Sequence, residues 1–533
     1  MSAAVLEPAR LRVRALWNGM ELRAGWPMAL VALAGLGLVA GILIIDAAPV
    51  GVYADDAMYV ILARSVATGQ GLRVLNLPGA PFATHFPPGY PLMLAALWRL
   101  MPSFPENVLL FKAFNAVCLG VVSVGIARYA RQRFGAPRLA LLLGAVTAVS
   151  VPLLFLGAML LSELSFLALL LLLLPTMERF AEERAPWWKA IALGVAVGAC
   201  ALVRTHGFVL APALGLVLVS RGRWRDAMAV VAAAVVTMLP WQLWSAHHAG
   251  LLPAPLVGTY GSYGAWWRDG FESLGARIFP LTLARTLPQT GATFAVLFSP
   301  LHHMVARAVT MVLLIVAAAV AVRAYWRRIP VTLVFLLGYL TILELWPGPP
   351  TRMIWGVWPL FLALFAAGMH TMANAARDRS PALRVATIAA VVWLVAGYGI
   401  YQWRGIRGRW WETVPRGAAA QIHGLVAWTR THTRPDDVVA TDAEGAVFLY
   451  TGRRTVPVRA FKTDQFLAEP APAPAVEAER GLVPILSAYP VRAVATASQG
   501  SYAAAVVLTV PPNQLLTPAG RYPWGATFTV VAR

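Results

Sequence analysis

The chain has 533 residues, of which 59% are hydrophobic and only 13% charged, with 44 Lys and Arg against 24 Asp and Glu for a net charge of +20. That composition excludes a soluble globular enzyme and marks a polytopic membrane protein. The positive surplus falls on loops, so it points to one membrane face rather than to nucleic acid.

In chain order, a cytoplasmic N-terminus over residues 1–25 carries Arg10, Arg12, Arg14 and Arg23. A first span follows at about 26–45, with no small-residue cleavage pattern after it, and is expected to be a retained helix. The segment from Asp46 to Pro105 reads as a large external loop with two short helical patterns, 55–68 and 90–101. Further spans are expected near 108–127, 139–156, 164–175, 190–203, 208–219 and 227–244. A second external loop from 247 to about 300 follows, then four more spans ending near 401. Eleven transmembrane helices result, and the basic clusters (Arg128, Arg131 and Arg133; Arg179 and Arg184; Arg221, Arg223 and Arg225; Arg323, Arg327 and Arg328; Arg377, Arg379 and Arg384) fall on one side at every pass. The two cysteines, Cys118 and Cys200, lie in apolar runs, so neither a disulfide framework nor a cysteine metal site is indicated.

Residues 403–533 read as an external α/β domain, with a helix at 418–431 and strands at 437–441, 446–450, 455–458, 492–496, 504–510 and 527–531. The alternating Pro and Ala of 470–475 reads as a linker. Asp442, Glu444, Arg453 and Arg454 read equally well as surface charge or as acceptor contacts.

The charge alternation places Asp55, Asp56, His85, Glu163, Arg204 and Arg352 on the external face, drawn from four separate turns. Adjacent carboxylates at a membrane boundary are costly and read as functional. Beside a second acid and near hydrocarbon, a carboxylate is suited to accept a proton, and Asp55 is the first choice of general base with Asp56 as its orienting partner. Arg352 and Arg204 suit a phosphate, because the guanidinium fork donates twice, and His85 is a further candidate donor. Tyr260, Tyr263, Trp266 and Trp267 are candidates to stack on a sugar or polyprenyl chain. Each has a plainer reading: Asp55 and Asp56 as helix caps, Glu163 as a cap after Ser162, the arginines as residues reaching to headgroups, His85 as a turn hydrogen-bonder, the aromatics as an interfacial belt. No cofactor is expected. A divalent cation between the paired acids and a phosphate is compatible with the pattern, although no further acid is spaced to complete a site.

The first loop, Asp55-Asp56 followed by Thr84-His85-Phe86-Pro87-Pro88-Gly89-Tyr90-Pro91, resembles the first external loop of GT-C glycosyltransferases, most closely the protein O-mannosyltransferase and aminoarabinose transferase superfamily. Glu163 resembles the acidic residue that family places at the start of its fourth helix. Arg204-Thr-His-Gly resembles its turn after the fifth, and Arg352 to Pro359 its Arg-Tyr…Pro element. The resemblance covers about residues 26–400. The second acid is Asp rather than Glu, Phe86 separates His85 from the prolines, and Gly89-Tyr90 replaces a Leu-Gly-Lys. The resemblance implies a GT-C-like catalytic domain over 26–402 and transfer of a sugar from a polyprenyl-phosphate carrier to an envelope acceptor (lipid, glycan or protein) on the external face. Within it, Glu163 and Tyr90 support the site. The expected setting is a bacterial inner membrane, with membrane lipids and no nucleic acid as partners. A transporter or flippase of lipid-linked sugars is the alternative. It too needs cations for phosphate, but not a large external loop with paired acids.

Overall fold

The computed structural model describes residues 25–46, 49–459, 463, 467, 473–497, 502–510 and 515–530. It is a multi-pass helical bundle with a small mixed sheet after it. Among the described residues seven helices are long and apolar enough to cross a membrane: α1 (Gly25–Leu43), α4 (Val108–Phe134), α7 (Glu163–Glu182), α10 (Trp224–Ala249), α14 (Met304–Tyr325), α17 (Trp358–Ala375) and α18 (Pro381–Arg407). The bent pair α5 (Pro137–Ala148) and α6 (Val151–Ala158) makes an eighth. Three shorter apolar helices, α8 (Trp187–Val203), α9 (Leu210–Ser220) and α15 (Pro330–Leu345), complete the eleven expected positions. The predicted span at 139–156 is thus two helices meeting at 42°. Pro152, in the first turn of α6, has no N–H to continue the ladder of α5, so the helix restarts there.

The turns bearing the basic clusters gather at one end of the bundle. Arg133, at the end of α4, pairs with Glu182 of α7 at 2.6 Å and also donates to the carbonyls of Pro175 and Arg328. Nearby, Phe134 packs edge-on against Tyr325 at 4.9 Å between centroids. The opposite end, here called the site end, holds the first loop. Its two predicted helices form as α2 (Asp55–Ala67) and α3 (Gly89–Leu100). Lys112 near the start of α4 fixes the exit from α1 through a buried 2.6 Å pair with Asp46.

The predicted second loop, 247–300, is largely helical: α11 (Val257–Tyr260), α12 (Tyr263–Leu274) and α13 (Ile278–Phe298). α13 reads as loop because it is interrupted by hydroxyls, yet Thr282, Thr286, Thr290 and Thr293 lie on its buried face with Ile278, Phe294, Leu297 and Phe298. Thr282, Thr286 and Thr293 hydrogen-bond carbonyls four residues back, and Thr286 also reaches the carbonyl of Glu344 at 2.9 Å, which ties α13 to the end of α15. A short helix, α16 (Thr351–Trp355), then leads into α17.

After α18 comes α19 (Trp410–His432) and a five-stranded sheet of order β2-β1-β3-β5-β4: β1 (Val438–Thr441), β2 (Arg454–Pro457), β3 (Val491–Thr496), β4 (Leu516–Tyr522) and β5 (Gly525–Val530). β1 runs parallel to β2 and β3, while β5 is antiparallel to β3 and β4. Two predicted strands are helices instead. Residues 446–450 lie in α20 (Glu444–Thr451), closed by Gly452 at φ 76°, and 504–510 overlap a helix at Tyr502–Leu508. β4 was not expected. Residues 470–472 of the expected linker lie outside the described residues, and Pro474–Glu477 is helical.

The sheet unit clamps onto the first loop. The Thr455 N–H donates to the carbonyl of Asn76 at 2.7 Å, the Val50 N–H donates to the Tyr450 hydroxyl at 3.0 Å, and Arg454 reaches the carbonyl of Leu75. α20 lies directly on α2: a Cβ placed on Gly445 would stand 2.5 Å from Cβ of Ala57. Gly445→Val is therefore expected to cost about 1–3 kcal/mol through overpacking and to lift α20 from α2. Limited proteolysis of the purified protein should show faster cleavage between α18 and α19 than in wild type; an unchanged pattern and melting temperature would contradict this contact.

Candidate active site

The site is built around the start of α2. The Asp55 N–H closes onto the carbonyl of Tyr53, with Ala54 between them at φ 43° and ψ −57°. This is a γ-turn of the rarer, strained hand, in a region where a residue with a Cβ is uncommon. Such strain persists only where surrounding contacts hold it, and it concentrates at functional positions. The holding group is Asp56. It is 3% exposed, and its carboxylate accepts from the backbone N–H groups of Gly51, Tyr53 and Ala57 at 2.9, 3.2 and 2.9 Å. The turn separates the two acids: Asp55 lines the adjacent cavity and Asp56 does not.

Burial pushes the Asp56 carboxyl up to about 6, against the opposing pull of its three backbone donors. A carboxyl that ionises less readily folded than unfolded, where the value is 3.8, favours folding fully below the unfolded value. That contribution is lost as pH rises through about 6. The gap corresponds to about 3 kcal/mol. The stability of wild type relative to Asp56→Asn should therefore shrink by up to that amount between pH 4 and pH 7. Melting of both proteins in detergent across this range checks it, and a difference independent of pH would contradict it.

Asp55 is 30% exposed and pairs with Arg352, Oδ2 to Nη2, at 2.5 Å. Arg352, at the start of α16, also stands 3.1 Å through Nε from Oε1 of Glu163, and the same oxygen lies 3.1 Å from Nη1 of Arg204. Glu163 opens α7 and is 1% exposed; Arg204 ends α8 in extended conformation and is itself buried. Burial lowers the proton affinity of both guanidinium groups, but their neighbours together more than offset this: Glu163 with Tyr339 and Tyr59 at Arg204, and Glu163 with Asp55 and Tyr59 at Arg352. Asp55, Arg352, Glu163 and Arg204 thus form a continuous chain of alternating charge from four separate turns. Ser162 extends it, accepting from Arg204 at 3.1 Å and lying 3.1 Å from the Tyr59 hydroxyl.

This chain opens on a cavity of about 870 Å³. One wall is apolar and comes from the membrane helices: Val235, Met238 and Leu239 of α10, Phe208 before α9 and Ile342 of α15. Val235, Leu239, Phe208 and Ile342 are each more than a third exposed, so this wall is an accessible apolar surface. His85, Tyr260, Tyr263, Trp266 and Trp267 all line the cavity as well. His85 packs on Tyr263 at 4.5 Å between centroids, and Trp266 stacks on Trp346 at 4.8 Å. The His85 Nδ1–H donates to the carbonyl of Gly261 at 2.7 Å, and burial lowers the proton affinity of the ring. Neutral His85 therefore presents a lone pair at Nε2, which suits a proton acceptor better than the phosphate donor expected from sequence. Tyr90 is fully buried behind Tyr59, 4.9 Å ring to ring, and does not reach the cavity wall.

Four lining residues had no site role in the sequence reading, Tyr59, Ser162, His206 and Trp346, while Asp442 and Glu444, read equally as surface charge or acceptor contacts, also line the cavity. His206 had a signal, its place between Arg204 and Gly207 in a recognised turn. Asp442 and Glu444 had none, since only the docking of α20 on α2 brings them to the site. They are cavity groups rather than surface charge. Glu444 accepts from the Tyr260 hydroxyl at 3.3 Å, Asp442 accepts from the Ala497 N–H at 2.7 Å, and burial pushes their carboxyls up to about 7 and about 6. Among the described residues no group of three or more His, Cys, Asp or Glu is gathered as a metal site.

Residues 85–244 match the family model of the dolichyl-phosphate-mannose-protein mannosyltransferases. No curated protein matches the sequence significantly. The structure is similar to that of ArnT from Cupriavidus metallidurans in the apo state, at 15% identity and a TM-score of 0.56 over 96% of this chain and 98% of that one. It is similar to the same protein bound to undecaprenyl phosphate, at 14% identity and a TM-score of 0.56 over 95% and 98%. The Archaeoglobus fulgidus oligosaccharyltransferase AglB, in complex with an inhibitory peptide and a dolichol-phosphate, is similar at 12% identity and a TM-score of 0.54 over 90% of this chain and 70% of that one. The chain thus shares the fold of these proteins over nearly its whole length, and its residues 85–244 carry the match to the mannosyltransferase family model.

Proposed function

We propose that the cavity transfers a sugar from a polyprenyl-phosphate carrier to an envelope acceptor, with Asp55 as general base. The observation that carries this reading is the charge chain Asp55–Arg352–Glu163–Arg204 opening on a cavity with one exposed apolar wall drawn from the membrane helices. The carrier's chain lies along Val235, Leu239 and Ile342, and its phosphate meets Arg352 and Arg204. An arriving phosphate competes with Asp55 for Arg352, so donor binding releases the Asp55 carboxylate beside the sugar. Asp55 then takes the acceptor's proton as the acceptor oxygen or nitrogen bonds to the anomeric carbon. The bond from that carbon to the phosphate oxygen breaks, and the electron pair leaves on the carrier phosphate, where Arg352 and Arg204 meet the growing charge. Glu163 holds the two arginines at their spacing, and Asp56 holds the turn.

ArnT bound to undecaprenyl phosphate and AglB in complex with a dolichol-phosphate support a lipid-phosphate donor of this kind. Positive charge favours the cytoplasmic side, which places the site end and the sheet unit in the periplasm of a bacterial inner membrane. The test is to supply purified protein with polyprenyl-phosphate hexose and cell-envelope acceptors and to follow both sugar transfer and release of the carrier phosphate. Arg352→Ala should raise the donor KM at least about 10-fold, the scale of a lost charge-assisted contact. Movement of the lipid across vesicles without carrier phosphate release would favour a flippase and overturn the reading.

A further inference from the structure

A second pocket of about 680 Å³ lies among α1, α4 and α7, toward the basic end. Val31, Ala34 and Leu38 face it from α1, and Val117, Val121 and Val124 from α4. The groove arises from uneven helix packing. At Gly37 and Gly41, α1 touches the backbone of α4 so closely that an added Cβ would stand 2.8 Å from Cα of Gly120 and 2.5 Å from Cα of Ala116. Nearer the basic end larger residues return and a slot remains between the helices. Pro175, inside α7 and on the groove wall, interrupts the backbone ladder there.

The mouth of the slot is cationic. Arg128 and Gln132, one turn apart on α4, and Arg179 of α7 line it. The neighbouring bases are committed elsewhere: Arg131 lies 4.1 Å from the ring centroid of Trp26, and Arg133 is held by Glu182 and two carbonyls. Arg128 and Arg179 are exposed, and no carboxylate among the described residues pairs with either. Two guanidinium groups and a carboxamide at the end of a hydrocarbon slot match a phosphate diester above an acyl chain.

We infer that this groove is a binding site for one anionic phospholipid of the leaflet at the basic end, its acyl chain in the slot and its phosphate between Arg128 and Arg179. By bridging α1 to α4 and α7, the lipid braces the helix that leads into the first loop. The site is separate from the sugar-transfer cavity and stands whether or not that activity is found. The test uses the full chain in detergent with phosphatidylglycerol or phosphatidylcholine added, read by native mass spectrometry and thermal shift. Wild type is expected to retain one phosphatidylglycerol and to melt higher in its presence, by mass action on the folded state, with little response to phosphatidylcholine. Arg128→Ala/Arg179→Ala should weaken phosphatidylglycerol retention at least 10-fold. Val121→Trp, which fills the slot and keeps both arginines, should do the same. Equal retention of the two lipids, or phosphatidylglycerol binding that survives both variants, would overturn the inference.

Discussion

Replacing Asp55 by Asn is expected to lower the turnover number for sugar transfer by about 10²–10⁴-fold, the range that a positioned general base contributes. The substitution keeps the shape of the side chain and an oxygen that can accept from Arg352, which retains Glu163 as its second partner at 3.1 Å. Melting temperature should therefore change little. The donor KM should stay level or fall, because the anion that competes with the donor phosphate for Arg352 has been removed. That combination, a large loss in turnover with undiminished donor affinity, separates a base from a residue that merely binds. The alternative proton acceptor in the same wall is His85, whose Nδ1–H is committed to Gly261 and whose ring burial keeps neutral. If Asp55→Asn retains full turnover and His85→Asn loses it, the base is His85 and the mechanism above is wrong in its central assignment.

The prominence of Asp55 was legible because charge is scarce in this chain and the basic clusters alternate strictly with apolar runs. The unequal roles of the two acids were not, because they follow from a backbone event. A γ-turn at Ala54 gives Asp55 to Arg352 and Asp56 to three backbone donors. Burial pushes the Asp56 carboxyl up in proton affinity, a consequence of its place beneath the turn. The errors in the C-terminal unit have local causes. Five apolar residues, Ala446 to Tyr450, fit a buried strand or a helix equally well; Glu444 in the first turn and Gly452 beyond the last were the helix signals present. Ala503 to Ala505 likewise favour helix over strand. α13 went unread because threonines, Thr282, Thr286, Thr290 and Thr293, interrupt its buried face between Ile278 and Phe294, and Pro288 lies inside it. Asp442 and Glu444 could not be assigned from sequence at all, since what makes them cavity groups is Gly445 lying against Ala57 almost 390 positions away.

Glu163→Gln is expected to damage both stability and catalysis, and the two effects have one cause. Glu163 Oε1 lies 3.1 Å from each of two guanidinium groups, and the carboxylate is 1% exposed. Arg204 has no other ion-pair partner among the described residues and is itself only 8% exposed through its side chain. Removing the charge leaves a buried cation uncompensated, a change that typically costs about 3–5 kcal/mol. It also leaves two like charges on either side of a neutral amide. Arg352 then has Asp55 as its remaining anion and should settle there more firmly, so the phosphate must displace a stronger pair and the donor KM should rise. Glu163→Asp, which keeps the charge on a shorter arm, should recover most of the stability and less of the donor affinity, because the spacing of the arginines depends on the reach of the carboxylate. Unfolding of a large membrane protein is often irreversible, so melting should be compared at one fixed scan rate, alongside donor kinetics for the three proteins. A Glu163→Gln protein that melts like wild type while losing donor affinity would mean that Glu163 acts only as a clamp on Arg352. Loss of stability with unchanged kinetics would mean that it serves the fold alone and that Arg204 has no part in holding the phosphate.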